Sequence, residues 1–179
     1  PVIKGRNHEH SLEVVKECSQ RWPGRVTTHF IAGLGETEEE MVKSIHECVS
    51  AGTTVGLFAF TPVRGTGMQD ALPPRRGSYR RIQLAAYAIK NGLDITKVSF
   101  DQGRISRIEM SDDRLFSDIR KGVPFQTSGC PFCNRPYYNE RPGQIPMNYP
   151  RPLSSREAEE CLVESELDLG DVWSAYHGG

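Results

Sequence analysis

The chain of 179 residues has no long hydrophobic run and almost no net charge. Its longest apolar stretch, Val55 to Phe60, is far shorter than the roughly 20 residues that a membrane-spanning helix needs. The N-terminus lacks the basic-then-apolar pattern of a secretory signal peptide. A formal charge of −1 also gives no sign of a surface built to coat nucleic acid. We therefore expect no membrane or nucleic-acid partner and a cytoplasmic location.

Cysteine is scarce as well. The five cysteines are an odd number, and only Cys130 and Cys133 lie close together. This usage argues against a secreted disulfide framework and favours reduced thiols. The chain begins at Pro1 without an initiator methionine, so we expect it to be a piece of a longer protein.

Helix and strand patterns alternate through the first part of the chain, which predicts an α/β fold. The predicted elements are a helix from Ser11 to Trp22, a strand from Val26 to Ala32, a helix opened by the capping box of Thr37 and Glu40 and closed by Gly52, a strand from Thr54 to Phe60, a helix capped by Ser78 and stopped at Asn91-Gly92, and a strand from Lys97 to Phe100. This order implies βα units around a parallel sheet or barrel. Active groups are then expected on the loops that follow the strands, which begin at Gly33 and Thr61.

From residue 111 onwards the composition changes. A short helix is followed by a loop-like stretch, rich in Pro, Tyr, Asn and Arg, that runs to Pro152. A second capping box, Ser154 with Glu157, predicts a last helix that carries Cys161. We expect two regions, residues 1–110 and residues 111–179.

The first loop motif is H-F-I-A-G-L-G-E-T, residues 29–37, where a strand turns into a helix. Its glycines let the backbone approach a ligand, and free N–H groups at a helix start can hold a charged cofactor. An ordinary βα turn also uses glycines, so a G-x-G pair is weak evidence by itself. A dinucleotide fingerprint is excluded because the third glycine is missing.

The second loop motif, F-A-F-T-P-V-R-G-T-G, covers residues 58–67 and follows the next strand. Together the two motifs resemble the radical S-adenosylmethionine family, in its biotin-synthase-like branch. Ile31, Gly33 and Glu36 fit the family element G-x-I-x-G-x-x-E, whereas His29 replaces its leading glycine.

The resemblance implies how S-adenosylmethionine binds. Ile31 packs on the adenine, and the backbone of Phe60, Thr61 and Pro62 reads the adenine edge. The family's cluster motif, C-x-x-x-C-x-x-C, does not occur in this sequence. The resemblance therefore implies that residues 1–110 are the C-terminal half of a partial (β/α) TIM-type barrel, whose partner is the N-terminal half of the same enzyme.

The motif C-P-F-C places Cys130 and Cys133 at a spacing that can hold one metal ion or one edge of an iron-sulfur cluster. Two thiolates are half of the usual ligand set, and Cys161 is either a further ligand or a small buried hydrophobe. A structural zinc knuckle and a glutaredoxin-like dithiol are the alternatives.

The stretch from Thr127 to Leu153 resembles the C-terminal region of the two-component lipoyl synthases. This resemblance implies that Cys130 and Cys133 bind an auxiliary iron-sulfur cluster, the sulfur source, in an irregular C-terminal extension. It also implies a site shaped by three neighbouring side chains, Arg135, Tyr137 and Tyr138.

The expected activity is therefore that of a lipoyl synthase, which inserts sulfur into an octanoylated lipoyl carrier protein. A second lipoyl synthase component is a further expected partner, and the chain alone is expected to be inactive. The alternatives are biotin synthase or a related sulfurtransferase that acts on a free small molecule, and a non-catalytic binding module stabilised by zinc.

Two groups of charged side chains each allow two interpretations. His8 and His10 near the first helix indicate either a metal ligand pair or, as we expect, a solvated helix start. The pairs Arg75-Arg76 and Arg80-Arg81 indicate either a contact with an acidic carrier protein or a solvated helix start.

Overall fold

The computed structural model describes residues 8–128 and 143–169 of the chain. These residues form a mixed α/β fold in which neither of two small sheets closes on itself. The helices are α1 (His8–Arg21), α2 (Glu38–Ser50), α3 (Arg76–Lys90), α4 (Asp113–Arg120) and α5 (Ser155–Ser165), and the strands are β1 (Thr27–Ala32), β2 (Thr54–Ala59), β3 (Val98–Asp101) and β4 (Arg104–Ile108). Within these ranges, no helix combines the length and the apolar character that crossing a membrane requires.

The predicted β-α-β unit at the start of the chain is confirmed. β1 and β2 are parallel neighbours, paired from Thr27 with Thr54 through to Ala32 with Ala59. The crossover helix α2 opens with the predicted capping box, in which Thr37 and Glu40 satisfy each other's backbone N–H groups.

The two faces of this sheet carry different side chains. On one face, Phe30 and Ala32 of β1 lie beside Leu57 and Ala59 of β2, and they pack into the core with α2 and α3. The other face carries His29, Ile31, Gly56 and Phe58, and we call it the far face. The helices α2 and α3 therefore pack against the first face of the sheet.

The helix α3 is central, because it is buried on nearly all sides. Its predicted apolar stripe and its Asn91-Gly92 stop are confirmed. The predicted Ser78 cap is wrong, since the helix already begins at Arg76, with the extended Arg75 as its N-cap. Ser78 consequently lies inside the first turn.

The side chain of Arg80 is fully buried, so the prediction that the Arg80-Arg81 pair is solvated or meets a carrier is wrong. Its Nε donates to the Glu164 carboxylate at 3.0 Å. Its two terminal nitrogens donate to the carbonyls of Met147 at 2.7 Å and Pro146 at 2.8 Å. Arg80 thus fastens the segment from residue 143 to α5 onto α3.

Arg81 is buried as well and forms an ion pair with Glu38, the first residue of α2. Its Nε and Nη2 both donate to the Glu38 carboxylate, which also accepts from the N–H of Ile105 in β4 at 2.8 Å. The remaining nitrogen, Nη1, donates to the Ser165 carbonyl at 2.9 Å. One buried pair therefore joins α2, α3, β4 and the end of α5.

The strand predicted from Lys97 to Phe100 exists as β3, but its expected place among the βα units is wrong. β3 pairs antiparallel with β4 in a separate sheet, and the sequence analysis did not predict β4. The turn between them is Gln102-Gly103, and both residues have positive φ, 48° and 80°. Such a turn favours a tight hairpin over a crossover connection.

The C-terminal part follows the prediction where the structure describes it. α4 ends before Gly122, whose φ is 72°. α5 begins with the predicted capping box of Ser154 and Glu157, and it buries Cys161 and Leu162. The predicted division into residues 1–110 and 111–179 stays a prediction.

Replacing Glu38 by Ala is expected to lower the free energy of unfolding by about 3 kcal/mol or more, because it leaves the Arg81 guanidinium buried without a counter-charge. The matched control is Glu39→Ala on the next residue, whose ion pair with Lys43 is at the surface. That variant should lose less than about 1 kcal/mol. Urea unfolding measures both, and equal losses would contradict the importance of the buried pair.

Candidate functional site

The two loop motifs lie side by side at the carboxyl edge of the β1–β2 sheet, as predicted. The N–H of Phe60, just after β2, donates to the carbonyl of Ala32 at the end of β1, at 2.8 Å. The loops that begin at Gly33 and Thr61 therefore start from adjacent strand ends. A ligand at this edge would contact both loops.

Glu36 holds the first loop in shape. One oxygen of its carboxylate accepts from the N–H of Gly33 at 2.6 Å, and the other accepts from the N–H of Leu34 at 2.9 Å. These donors are therefore satisfied within the loop. Glu36, which the family resemblance singled out, therefore stabilises the conformation of the first loop.

The start of α2 does not offer the free N–H groups expected for a charged cofactor. The N–H of Glu39 donates to the Gly103 carbonyl at 3.0 Å, and the N–H of Glu40 donates to Thr37 Oγ1 at 3.1 Å. Three acidic residues, Glu38 to Glu40, also occupy the first turn. The N–H groups of Glu39 and Glu40 are therefore already paired, and the three carboxylates do not favour a further negative charge at this helix start. That a charged cofactor binds at this loop stays a prediction.

Gly33 is needed for close packing between the two loops. Its φ is 100°, and a Cβ atom at this position would lie 2.6 Å from Cδ of Pro74 in the loop before α3. Gly35, at φ 110°, has no atom within 4 Å of the same point. A glycine is therefore required at position 33 both by the backbone conformation and by the contact with Pro74, whereas at position 35 it is required by the conformation alone.

The far face carries Ile31, the residue predicted to pack on an adenine. Ile31 is half-buried there and lies opposite Phe58 in the strand register. The His29 ring packs at 5.5 Å from the Phe58 ring, measured between centroids, and covers Gly56. A Cβ atom on Gly56 would lie 2.8 Å from Cδ2 of His29 and 3.3 Å from the carbonyl oxygen of Ser128. Gly56 therefore makes room for the histidine that replaces the family's leading glycine.

The second loop leaves its backbone accessible. Thr61 is exposed, whereas Phe60 and Pro62 on either side are half-buried. Within the described part of the chain, the N–H and carbonyl of Thr61 make no hydrogen bond. These groups can read the polar edge of a heterocyclic ring.

The outer edge of β2 is closed by side chains instead of a further strand. Ser128 Oγ accepts from the N–H of Leu57 at 3.1 Å, and the Tyr79 hydroxyl donates to the Leu57 carbonyl at 3.1 Å. Lys90 Nζ donates to the Val55 carbonyl at 3.0 Å. β1 has no neighbouring strand on its other side among residues 8–128 and 143–169. The sheet can therefore be extended only on the side of β1.

The predicted cluster ligands, Cys130 and Cys133, lie outside the described residues. The side chains expected to shape their site, Arg135, Tyr137 and Tyr138, also lie outside them. In the two described ranges, no three His, Cys, Asp or Glu side chains are grouped as a metal site.

Cys161 belongs to the core. Its side chain is 1% exposed, and burial raises the pKa of the thiol to about 11. The Tyr149 hydroxyl lies 4.0 Å from its sulfur. Cys48 also belongs to the core, because it is buried and burial raises the pKa of its thiol. A neutral, buried thiol is a poor metal ligand, so Cys161 fits the reading as a small hydrophobe.

Sequence reasoning missed three residues that shape this region: Ser128, Lys90 and Pro74. The first two close the β2 edge from 71 and 35 residues away, and nothing local marks them. Gly56 was a usable signal, because a glycine inside a strand often marks a close approach of another group.

Comparisons with known proteins add no assignment. No protein-family model matches this chain, and searches of curated proteins and of solved structures likewise find no match. The resemblance to radical S-adenosylmethionine enzymes therefore depends on the sequence motifs alone.

Replacing Gly33 by Ala is expected to destabilise the chain more than replacing Gly35 by Ala. Both variants place a Cβ on a left-handed backbone, which costs about 1–3 kcal/mol. Only the first also forces that Cβ against Pro74, which adds about 1–3 kcal/mol of overpacking. Urea unfolding gives the two free energies, and a Gly35→Ala loss as large as that of Gly33→Ala would contradict the contact.

Proposed function

We propose that this chain is part of a radical S-adenosylmethionine enzyme that inserts sulfur, with lipoyl synthase as the best candidate. The observation that carries the proposal is the hydrogen bond from Phe60 N–H to the Ala32 carbonyl. It joins the ends of the two strands that carry the family-like motifs. The parts of both motifs that the resemblance assigns to one cofactor are therefore adjacent.

The residues at this edge fit an adenine group. Ile31 offers a half-buried aliphatic surface on the far face, and Thr61 offers an accessible N–H and carbonyl. An apolar wall beside a polar backbone edge is what a planar heterocycle needs for stacking and for hydrogen bonding. Because the N–H groups of Glu39 and Glu40 at the start of α2 are already paired, we expect the carboxylate of the cofactor to bind elsewhere.

The position of Ser128 supports a link between this face and the cysteine pair. Its hydroxyl is fastened to β2, and its carbonyl oxygen lies over Gly56 on the far face. Cys130 follows two residues later in the sequence. In the sequence, the cysteine pair therefore begins just beyond a residue that is fixed against the far face.

The sheet edges support a partial barrel. The closed edge of β2 makes it a last strand, and the unpaired edge of β1 accepts the strands of a cluster-binding N-terminal half. In such a barrel, the far face with Ile31 and Phe58 lines the interior. The N-terminal half of the same enzyme is thus the first partner that we propose, followed by the octanoylated carrier protein and a second lipoyl synthase component.

The chemistry requires little acid–base machinery from this chain. When bound, S-adenosylmethionine and a reduced cluster would supply the radical chemistry that an unactivated C–H bond requires. The residues described here would position the adenine, through Ile31 and the backbone from Phe60 to Pro62, and exclude water with Phe58. This division of labour agrees with the absence of a catalytic triad in the sequence.

Iron analysis tests the sulfur-donor assignment. In the complete, reconstituted enzyme, Cys130→Ala with Cys133→Ala is expected to remove one cluster, about four iron atoms per chain. The control is Cys18→Ala, a half-buried cysteine on α1, which should leave the iron content unchanged. Unchanged iron in the double variant would refute the auxiliary cluster. A colourless protein with one zinc would instead favour the binding module.

The adenine surface is tested by placing a charge on the far face. Ile31→Asp is expected to weaken binding of S-adenosylmethionine to the complete enzyme at least about tenfold, since loss of roughly 1.4 kcal/mol of packing is a factor of ten. Thr27→Asp is the matched control, because Thr27 is exposed on the same face at the other end of β1. Equilibrium dialysis measures both affinities, and equal losses would contradict the proposed position of the adenine.

A further inference from the structure

A cavity of about 240 Å³ lies beside the closed edge of β2, between this strand, α3 and the segment before residue 128. None of the described residues that line it belongs to the two loop motifs. Its wall is mostly apolar and is formed by Val55, Leu57, Ala86, Val123 and Pro124. The cavity is therefore separate from the proposed cofactor site.

The only cation that the structure describes in the cavity lining is Lys90. More than a third of this residue is exposed, so the side chain runs along the mouth of the cavity. Its ammonium donates one hydrogen bond, to the Val55 carbonyl, and no described carboxylate lies within ion-pair distance of it. Partial burial lowers the pKa of Lys90, which agrees with an ammonium that lacks a counter-charge.

Asn148 is a buried polar residue of the lining, with 5% of its surface exposed. Gln83 Nε2 donates to its Oδ1 at 2.9 Å, and the Tyr79 hydroxyl oxygen lies 3.1 Å from the same atom. In the described part of the chain, no buried side-chain nitrogen or oxygen lacks a hydrogen-bond partner. The buried polar groups of the lining are therefore satisfied within the protein, and Lys90 is the group that a charged ligand would engage.

Asp118, an acidic residue next to the cavity lining, already accepts a hydrogen bond from Tyr87. Tyr87, which lines the cavity, donates its hydroxyl hydrogen to Asp118 at 2.8 Å. Burial and this hydrogen bond raise the pKa of Tyr87 to about 12, so the phenol is neutral at physiological pH. Asp118 is not among the described lining residues. The cavity thus offers one positive charge beside an apolar wall.

We propose that this cavity binds a small aliphatic monocarboxylate. The carboxylate pairs with Lys90 at the mouth, and the hydrocarbon chain packs on the wall that includes Leu57 and Ala86. The volume exceeds the roughly 150 Å³ of a protein cavity that holds benzene, so a chain of a few carbons fits. This inference does not depend on the proposed radical chemistry.

Calorimetric titration of the full chain with sodium hexanoate tests the site, with 1-hexanol as the uncharged ligand of equal chain length. Hexanoate is expected to bind at least about fivefold more tightly than 1-hexanol, because only the carboxylate pairs with Lys90. Equal affinities, or no binding of hexanoate up to about 10 mM, would overturn the proposal.

Two variants locate the bound molecule. Lys90→Met keeps the aliphatic stem but removes the charge, and it is expected to weaken hexanoate binding at least about fivefold while 1-hexanol binding is unchanged. Lys43→Met, at an exposed lysine of α2, is the matched control and should bind hexanoate like the parent chain. Unchanged hexanoate binding by Lys90→Met overturns the site.

Ala86→Leu provides a test that leaves the charge in place. The added carbons project into the cavity from α3, so binding of both hexanoate and 1-hexanol should fall. A thermal melt of each variant without ligand shows whether it is folded. If a folded Ala86→Leu variant binds hexanoate as tightly as the parent chain, the ligand does not occupy this cavity.

Discussion

Two guanidinium groups, buried next to each other on α3, set the constraint on which the rest of the fold depends. Arg80 and Arg81 cannot be taken out of water unless carboxylates and carbonyls surround them. Glu38 at the start of α2 neutralises one, and Glu164 in α5 neutralises the other. The two carboxylates come from opposite sides of α3 in the sequence, so the helix is held between an early element and a late one.

This arrangement also fixes the candidate site. Glu38 lies two residues after Glu36, whose carboxylate shapes the first motif loop. Because Glu38 is anchored by Arg81 and by the Ile105 N–H, the start of α2 cannot shift along the sheet edge. The loop between β1 and α2 is therefore fixed at both ends. Preorganisation of this kind is useful wherever a cofactor must be held in one orientation.

The local parts of the fold were predictable from the sequence, since their signals lie within a few residues of each other. Both capping boxes and the parallel β1–β2 unit belong to this group. The buried roles of Arg80 and Arg81 were not predictable, because their carboxylate partners lie 84 and 43 residues away and adjacent arginines normally indicate a solvated surface. The hairpin was missed because the two buried isoleucines of β4, Ile105 and Ile108, are three residues apart, so R-I-S-R-I lacks the alternation that indicates a strand. For the candidate site, the two loops were predictable, whereas Ser128 at the sheet edge was not.

The long-range bonds of Arg80 have a consequence for how the chain is made. The carbonyls of Pro146 and Met147 that accept from it are synthesised 66 and 67 residues after it. Until they appear, the Gln83 side chain is the one described acceptor available to the Arg80 guanidinium, and burying α3 would be unfavourable. The burial of α3 therefore depends on the synthesis of the C-terminal part of the chain. A chain that stops short of Glu164 loses more than its last helix, because the central helix then lacks the groups that permit its burial.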